Sequence, residues 1–504
     1  MNIPLLPLML ADVPATLRQA LEQEGVPCAE HRPGRPEGRF VLHTSSGAPP
    51  AGMSPQQRAL SLDALLRPHE LQWCEQLRSE HTACRQWAVG PFLAREQVAA
   101  VDKALLRRRL VQRVRRAVES AGGVWLTVAA YPDPYRSAFN FRLDHDACQV
   151  DDLQRTLAAL RGWESATSHF VCGSAFDGRP EALQPLRGLD VGGHGYWHHT
   201  YRDAADNRYN IRRGLDVLRR SGIEPQGFVA PHGRFNRSLA EVLVQLGVTH
   251  SSEFALCYDD RPFLVPGFPL LQIPVHPVCL GIVLEAARRQ FPGDHDAQRL
   301  AADAYAEYLA RYATERYAAG EPIFVYGHPD ARLGRYPHVL RGLLGALSDR
   351  AALWPTTYTE FARWWSLRRQ VAVQVQRVGD ALAISAAGLP RAYRVAVEFW
   401  RGEHVARIPL RSAFTRFSPD ALAYERRASL RSDSGGTRID QPHTLRGSLR
   451  KLLDWETVTP RHEIRVRSWR SLLKKALRYM LTQPQTPTAQ APLRSDDPPF
   501  AADP

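Results

Sequence analysis

No stretch of the sequence stays apolar long enough to cross a bilayer as a helix. No two of its seven cysteines are spaced C-x-x-C, and their number is odd, which excludes a disulfide framework and a zinc–thiolate site. Cys28, Cys74, Cys84, Cys148, Cys172, Cys257 and Cys279 read instead as reduced thiols packed in cores. There is no RNP motif, helix-turn-helix signature or zinc finger, so no nucleic acid is expected as partner despite a net charge of +13. Internal repeats are missing too. The opening run MNIPLLPLMLADVP carries neither a basic leader nor a small-residue cleavage site, so the expected location is the cytoplasm.

What is present is a chain of 504 residues, enough for two to four domains. Residues 1–95 read as a small α/β unit, with TLRQALEQEGV as a helix closed by Gly25 and RFVLHTS as a strand. Residues 96–123 predict a basic helix linking it to the next unit. From 124 to 365 short apolar runs (VWLTVAAY, FNFRLDHD, SHFVCGSAF, LDVGGHG, GFVAPHG, LLQIPVHP, PIFVYGHP) alternate with helical stretches. That alternation predicts an α/β fold with a parallel sheet or a (β/α) barrel. Alternating apolar residues over 370–425 predict a small β-domain, and 426–504 a basic amphipathic helix followed by a Pro-rich tail.

Chemistry-bearing residues fall at one kind of place, the C-terminal ends of predicted strands. Asp144 and Asp146 end FNFRLDHD; His194 and His198 follow LDVGG; His232 follows GFVAP; His276 ends LLQIPVH; His328 ends PIFVYGH. In a barrel those ends share one face. His194 and His198 are spaced i, i+4, so a helical turn after His194 would place both imidazoles on one face, as a shared metal ion requires. Asp146 supplies a third, oxygen ligand. Asp144, two residues earlier on the strand, points to the same side and suits the role of base. An isolated H-x-x-x-H is more often two ordinary histidines; the two strand-end aspartates and His328 shift that balance. His145 faces the opposite side and reads as a packed core histidine, and His199 as a surface or supporting one.

These residues resemble the polysaccharide deacetylases of the NodB-homology type, carbohydrate esterase family four. RLDHDA is similar to the D-x-D form of that family's first motif. HGYWH is similar to its H-[ST]-x-x-H motif, with Gly195 in place of Ser or Thr. The resemblance covers about 124–365 and implies a distorted (β/α) barrel and metal-dependent removal of acyl groups. It implies Asp144 as base, Asp146, His194 and His198 as ligands of a divalent ion (Zn²⁺ first, then Co²⁺, Mn²⁺ or Ni²⁺), and His328 as a general acid kept protonated. The third motif departs: Val229 in FVAPHG stands where the family carries the arginine that orients the base. Arg142, on the same side of its strand as Asp144, is the expected substitute. Tyr196, Trp197, Pro231, His232, His276 and Tyr326 are the expected sugar contacts, with packing or a turn as the alternative role for the aromatics and for His276.

The substrate class so implied is an acetylated sugar, a nucleotide sugar or a lipid-linked glycan of surface-polysaccharide assembly. Between Thr444 and Met480 ten Lys/Arg face three Asp/Glu. Within 466–480, Trp469, Leu472, Leu473, Ala476, Leu477 and Met480 recur at helical spacing opposite a basic side, which fits peripheral contact with an anionic membrane or docking on the protein itself. Two other classes stay open at this level: a catalytically silent glycan-binding or scaffold protein of the same fold, favoured by Val229, and a basic nucleic-acid binder, favoured by charge alone.

Overall fold

The computed structural model describes residues 3–44, 48–430 and 436–439. At its centre is the strand Ser137–His145, buried along its whole length. Parallel neighbours lie on both sides, Ile323–Gly327 on one and Thr167–Val171 on the other, with Leu353–Pro355 pairing its first residues. A strand covered on both faces needs apolar groups on both or paired polar ones. Phe139, Phe141 and Leu143 supply the first, at roughly 1.5–3 kcal/mol per fully buried side chain. Asn140, Arg142 and Asp144 alternate with them on the other side.

The parallel pairing continues from Thr167–Val171 to Val191–Gly193. Phe228 then bridges Gly193 to Ser251, and His250–Ser251 pairs with Leu271–Gln272. Beyond that strand the His276 N–H donates to Phe324 O at 2.8 Å, which brings the succession back to Ile323–Gly327. Helices on the outside are capped by their own sequence. Asp203 starts Ala204–Arg220 by accepting from the Ala205 and Asp206 N–H groups, and Asn236 starts Arg237–Gln245.

The N-terminal unit is a second parallel sheet in the order Cys28–Glu30, Leu8–Ala11, Phe40–His43, Arg58–Ser61. Its core holds Leu17 and Leu21 of one helix together with Leu110, Val114 and Val118 of Lys103–Ser120. The basic helix expected as a linker is therefore part of this unit. It also starts later than 96. Phe92–Ala99 is a strand paired antiparallel with Thr82–Val89, because Phe92, Ala94 and Val98 alternate inward, and Asp102 then caps the helix through the Leu105 N–H.

Two further expectations change. Trp125–Val128 does not join the parallel sheet; it pairs antiparallel with Val397–Trp400, its apolar residues matching a ready edge. Residues 370–425 accordingly do not form one separate β-domain. Ala372–Val378, Ala381–Ala387 and Phe414–Phe417 make one sheet, while Ala396–Arg401 and His404–Pro409 extend the Trp125–Val128 strand. Val373, Ile384, Val397 and Phe399 share one core with Phe139, Phe141 and Val325. The N-terminal unit is fastened to the rest by buried ions: Arg107 reaches Asp260 at 2.7 Å and also Glu24, and Arg261 reaches Glu321 at 3.2 Å and Glu24 at 2.5 Å. The basic segment 466–480 and the Pro-rich tail lie outside the described residues. Among the described residues no helix is long and apolar enough to cross a membrane.

Candidate active site

Asp146 leaves the end of the central strand and meets two histidines. Its Oδ1 lies 3.4 Å from His194 Nε2 and 3.2 Å from His198 Nε2. Ligand atoms of the three residues all fall within 4.8 Å of one another. His328 Nε2 approaches the other oxygen, Oδ2, at 3.4 Å. One carboxylate thus gathers three imidazoles from two other strand ends, His194 and His198 after Val191–Gly193 and His328 after Ile323–Gly327.

The His194–His198 pair is not built as a helical turn. After Val191–Gly193 the chain is irregular, and Gly195 takes φ +77°. A Cβ there would sit 2.8 Å from Trp197 O, so glycine answers both the backbone angle and the space. The loop is held from the helix Ala204–Arg220 by Asn210. Its Oδ1 accepts from Tyr196 N–H at 3.1 Å and Trp197 N–H at 2.8 Å, and its Nδ2 donates to His199 O at 2.9 Å. The bend brings the two imidazole rings to 4.9 Å between centroids.

Hydrogen bonding settles the tautomer of His194. Its Nδ1 donates to Val229 O at 2.7 Å, so in the neutral ring Nε2 is a lone pair aimed at a carboxylate oxygen. Asp146 Oδ1 itself has no hydrogen-bond partner. Lone pair facing lone pair is repulsive unless a proton or a metal ion lies between them. The set therefore fits a divalent ion held by two imidazoles and one carboxylate. Burial alone would raise the Asp146 carboxyl, but His198 and His328 outweigh it and hold it well below the usual carboxylate range. It is available as an anion.

Asp144 lies deeper and is only 2 % exposed. Arg142 NH2 donates to its Oδ2 at 2.7 Å, while Oδ1 has no partner. The guanidinium is braced in turn: NH1 donates to Ser252 O at 3.0 Å and to Ser252 Oγ at 3.1 Å, and the group stacks 4.6 Å from the Tyr326 ring centroid. Val229 contributes no side chain here; its carbonyl serves His194.

Other expected residues end elsewhere. His276 is fully buried and does not face this site: its Nδ1 meets Asp259 at 2.8 Å and its Nε2 meets the Tyr308 hydroxyl at 2.9 Å. It packs instead against Tyr308 of the helix His295–Ala319. Tyr196 is buried, with its hydroxyl donated to Asp177 at 2.9 Å and its ring under Arg213; Trp197 stacks on Tyr209. Tyr326 is buried between Arg142 and His328 and donates to Pro277 O at 3.3 Å. Tyr196 and Tyr326 are buried and brace the site, while Trp197 is half-buried. Pro231 is buried, and the exposed His232, at φ +57°, packs its ring 4.5 Å from that of His198. The expectation of a protonated His328 also changes. Burial and the Arg332 charge push it down to about 3, against the pull of Asp146 and Asp144, so it is neutral at pH 7. His145 is packed as expected, 3.0 Å from His169 Nδ1.

Sequence reasoning missed three supports. Ser252 braces Arg142, and Asn210 holds the histidine loop. Asp330 accepts from Gln149 N–H at 2.9 Å and Ala147 N–H at 3.3 Å, tying the loop after Asp146 to the loop after His328. Only Asp330 carried a sequence signal, as a carboxylate two residues beyond a strand-end histidine.

No family model matches the chain, and no curated protein matches it. Among solved structures it is similar, at low identity and over part of its length, to polysaccharide deacetylases and family four carbohydrate esterases. One, described as a polysaccharide deacetylase, is from Mycobacterium smegmatis: 19% identity, 47% of this chain and 92% of that one, TM-score 0.39. Puue allantoinase is similar at 18% identity over 47% of this chain and 93% of that one, TM-score 0.38. A family 4 carbohydrate esterase from Streptomyces lividans is similar at 16% identity over 44% of this chain and 92% of that one, TM-score 0.29.

Proposed function

We propose that the protein is a metal-dependent hydrolase that removes an acetyl or similar acyl group from an amino sugar or glycan precursor of surface-polysaccharide biosynthesis, and that its ring of parallel strands is a distorted (β/α) barrel. The observation that carries this reading is the side-by-side placement of two differently furnished carboxylates. Asp146 faces the bare Nε2 of His194 and the Nε2 of His198; Asp144 is paired with Arg142 and keeps one oxygen unengaged. Asp146, His194 and His198 would hold the ion, Zn²⁺ first. When bound, such an ion polarises an acyl carbonyl and makes water more acidic.

The protein's own groups do the rest. Arg142 holds Asp144 in place through one oxygen, so the other, unengaged oxygen takes the proton of the attacking water. His328 is neutral beforehand, so the proton it passes to the leaving nitrogen or oxygen must reach it during the reaction; Asp144 is the source in this reading. The Arg142–Asp144 pair supports turnover over the silent glycan-binding reading, which rests on Val229. Seven free cysteines, most of them buried, suit a reducing compartment and a cytoplasmic nucleotide-sugar or lipid-linked substrate. Contact of 466–480 with an anionic membrane belongs to the same proposal.

The test is elemental analysis of the untagged full chain beside His194→Ala and Asp146→Ala, followed by acetate release from acetylated sugar precursors. The expected result is near-stoichiometric divalent metal in the wild type, lost in both folded variants. A wild type that takes up none of Zn²⁺, Co²⁺, Mn²⁺ or Ni²⁺ would overturn the reading in favour of glycan binding without turnover.

A further inference from the structure

The mechanism above leaves one fully buried carboxyl unused. Glu253 follows the strand His250–Ser251 and is 0 % exposed. Its Oε2 accepts from Ser251 Oγ at 2.9 Å, and its Oε1 accepts from the Ala230 N–H at 3.2 Å. That N–H belongs to the same peptide group as the Val229 carbonyl, which accepts from His194 Nδ1 at 2.7 Å. The three groups form one line: carboxyl, peptide, imidazole.

A peptide group is a conductor of polarity. An acceptor on its N–H draws that bond's density toward nitrogen and makes the carbonyl a better acceptor. A better acceptor at Nδ1–H fixes the ring and makes the opposite nitrogen more basic. Metal-binding histidines are ordinarily oriented by a carboxylate or a carbonyl in direct contact. Here the direct contact is a carbonyl, and a carboxyl stands one peptide behind it.

We propose that Glu253 is a positioning residue for the metal centre, acting on His194 through the Val229–Ala230 peptide. It touches neither metal ligand nor substrate. The adjacent Ser252 holds Arg142, and through it Asp144. Two successive residues of one strand end thus govern the two halves of the site. This also gives Val229 a reason: the position works through its backbone.

The inference rests on the metal-site reading, and the test separates the two. Co²⁺ affinity of the untagged full chain is measured by competition titration for wild type, Glu253→Gln and Glu253→Ala, with thermal melting alongside. Gln keeps an oxygen acceptor for the Ala230 N–H, so its Kd should stay within about threefold of wild type, whereas Ala should weaken binding about 10- to 100-fold. Ala230→Pro removes the donor at a backbone φ of −76° that proline accepts, and should by itself weaken binding by about the same 10- to 100-fold, with thermal melting to show that the ring is accommodated. Metal-free protein labelled with ¹⁵N-histidine gives a second readout: the hydrogen-bonded Nδ1–H resonance of His194 should persist in Glu253→Gln and shift upfield in Ala230→Pro. Wild-type Kd in Ala230→Pro, or a Glu253→Gln as weak as Glu253→Ala, overturns the proposal. A wild type that binds no Co²⁺ overturns the metal reading instead, and the imidazole resonance still decides the role of Glu253.

Discussion

Removing Arg142 should show how much the site depends on one buried pair. The side chains of Arg142 and Asp144 are 1% and 3% exposed, and the contact is 2.7 Å. Replacing Arg142 with Met keeps most of the volume and strands a carboxylate whose other oxygen already has no partner. Leaving such a charge unpaired costs about 3–5 kcal/mol. The carboxyl can escape by taking a proton, which at pH 7 costs about 4 kcal/mol for an ordinary carboxyl of pKa ~3.9, and only about 1.5 kcal/mol at pH 5. The two routes agree in size at neutral pH and part at acid pH. Urea unfolding of wild type, Arg142→Met, Asp144→Asn and the double variant should therefore give a loss near 4 kcal/mol for Arg142→Met at pH 7, shrinking toward pH 5. The double variant should recover most of it, since no charge is left unpaired. An Arg142→Met protein as stable as wild type at pH 7, or a double variant that loses the sum of the two singles, would refute the reasoning.

The remaining expectations concern neighbouring groups. Gly195→Ala places a methyl 2.8 Å from Trp197 O at φ +77°; the conformation alone costs about 1–2 kcal/mol, and metal content should fall as His198 moves. His169 is held down to about 3 by burial. Its folded pKa lies below the unfolded one, so the unfolded chain takes up the proton first, and stability is full above about pH 6.5 and declines as pH falls toward 3. By linkage this amounts to about 2 kcal/mol at pH 5, and His169→Gln should flatten the stability–pH curve over that window. Ending the chain at residue 439 should abolish binding to anionic vesicles if 466–480 makes the membrane contact; unchanged binding, measured by flotation, would end that idea.

The residues legible in the sequence are those whose chemistry fixes their spacing. D-x-D on a strand and H-x-x-x-H beyond a glycine pair speak through type and interval alone, and Arg142 follows from strand alternation. Ser252, Glu253 and Asn210 act through contacts across 110, 23 and 13 residues of sequence, which no local pattern encodes. His276 misleads because it shares the strand-end position of the others, while its partners, Asp259 and Tyr308, lie on the outside of the sheet. The helix expected from 96 misleads because FLAREQVA and DKALLRRRL run together, and only the cap at Asp102 divides them. Trp125–Val128 reads as a strand of the central sheet because its true partner, Val397–Trp400, lies far onward in the chain.

That last pairing means the central sheet is not a removable cassette. A fragment cut to 124–365 would keep every ligand and both carboxylates of the site. It would also bare the hydrogen-bonding edge of Trp125–Val128, strip Val373, Ile384 and Phe399 from the shared core, and leave Arg261 and Glu321 without the Arg107–Glu24 side of their network. An open strand edge beside uncovered apolar surface is an aggregation surface. The first and last parts of the chain thus act together as a clasp, closed around the chemistry by strands that meet only after the chain has passed through the site, and any shortened version has to carry both halves of it.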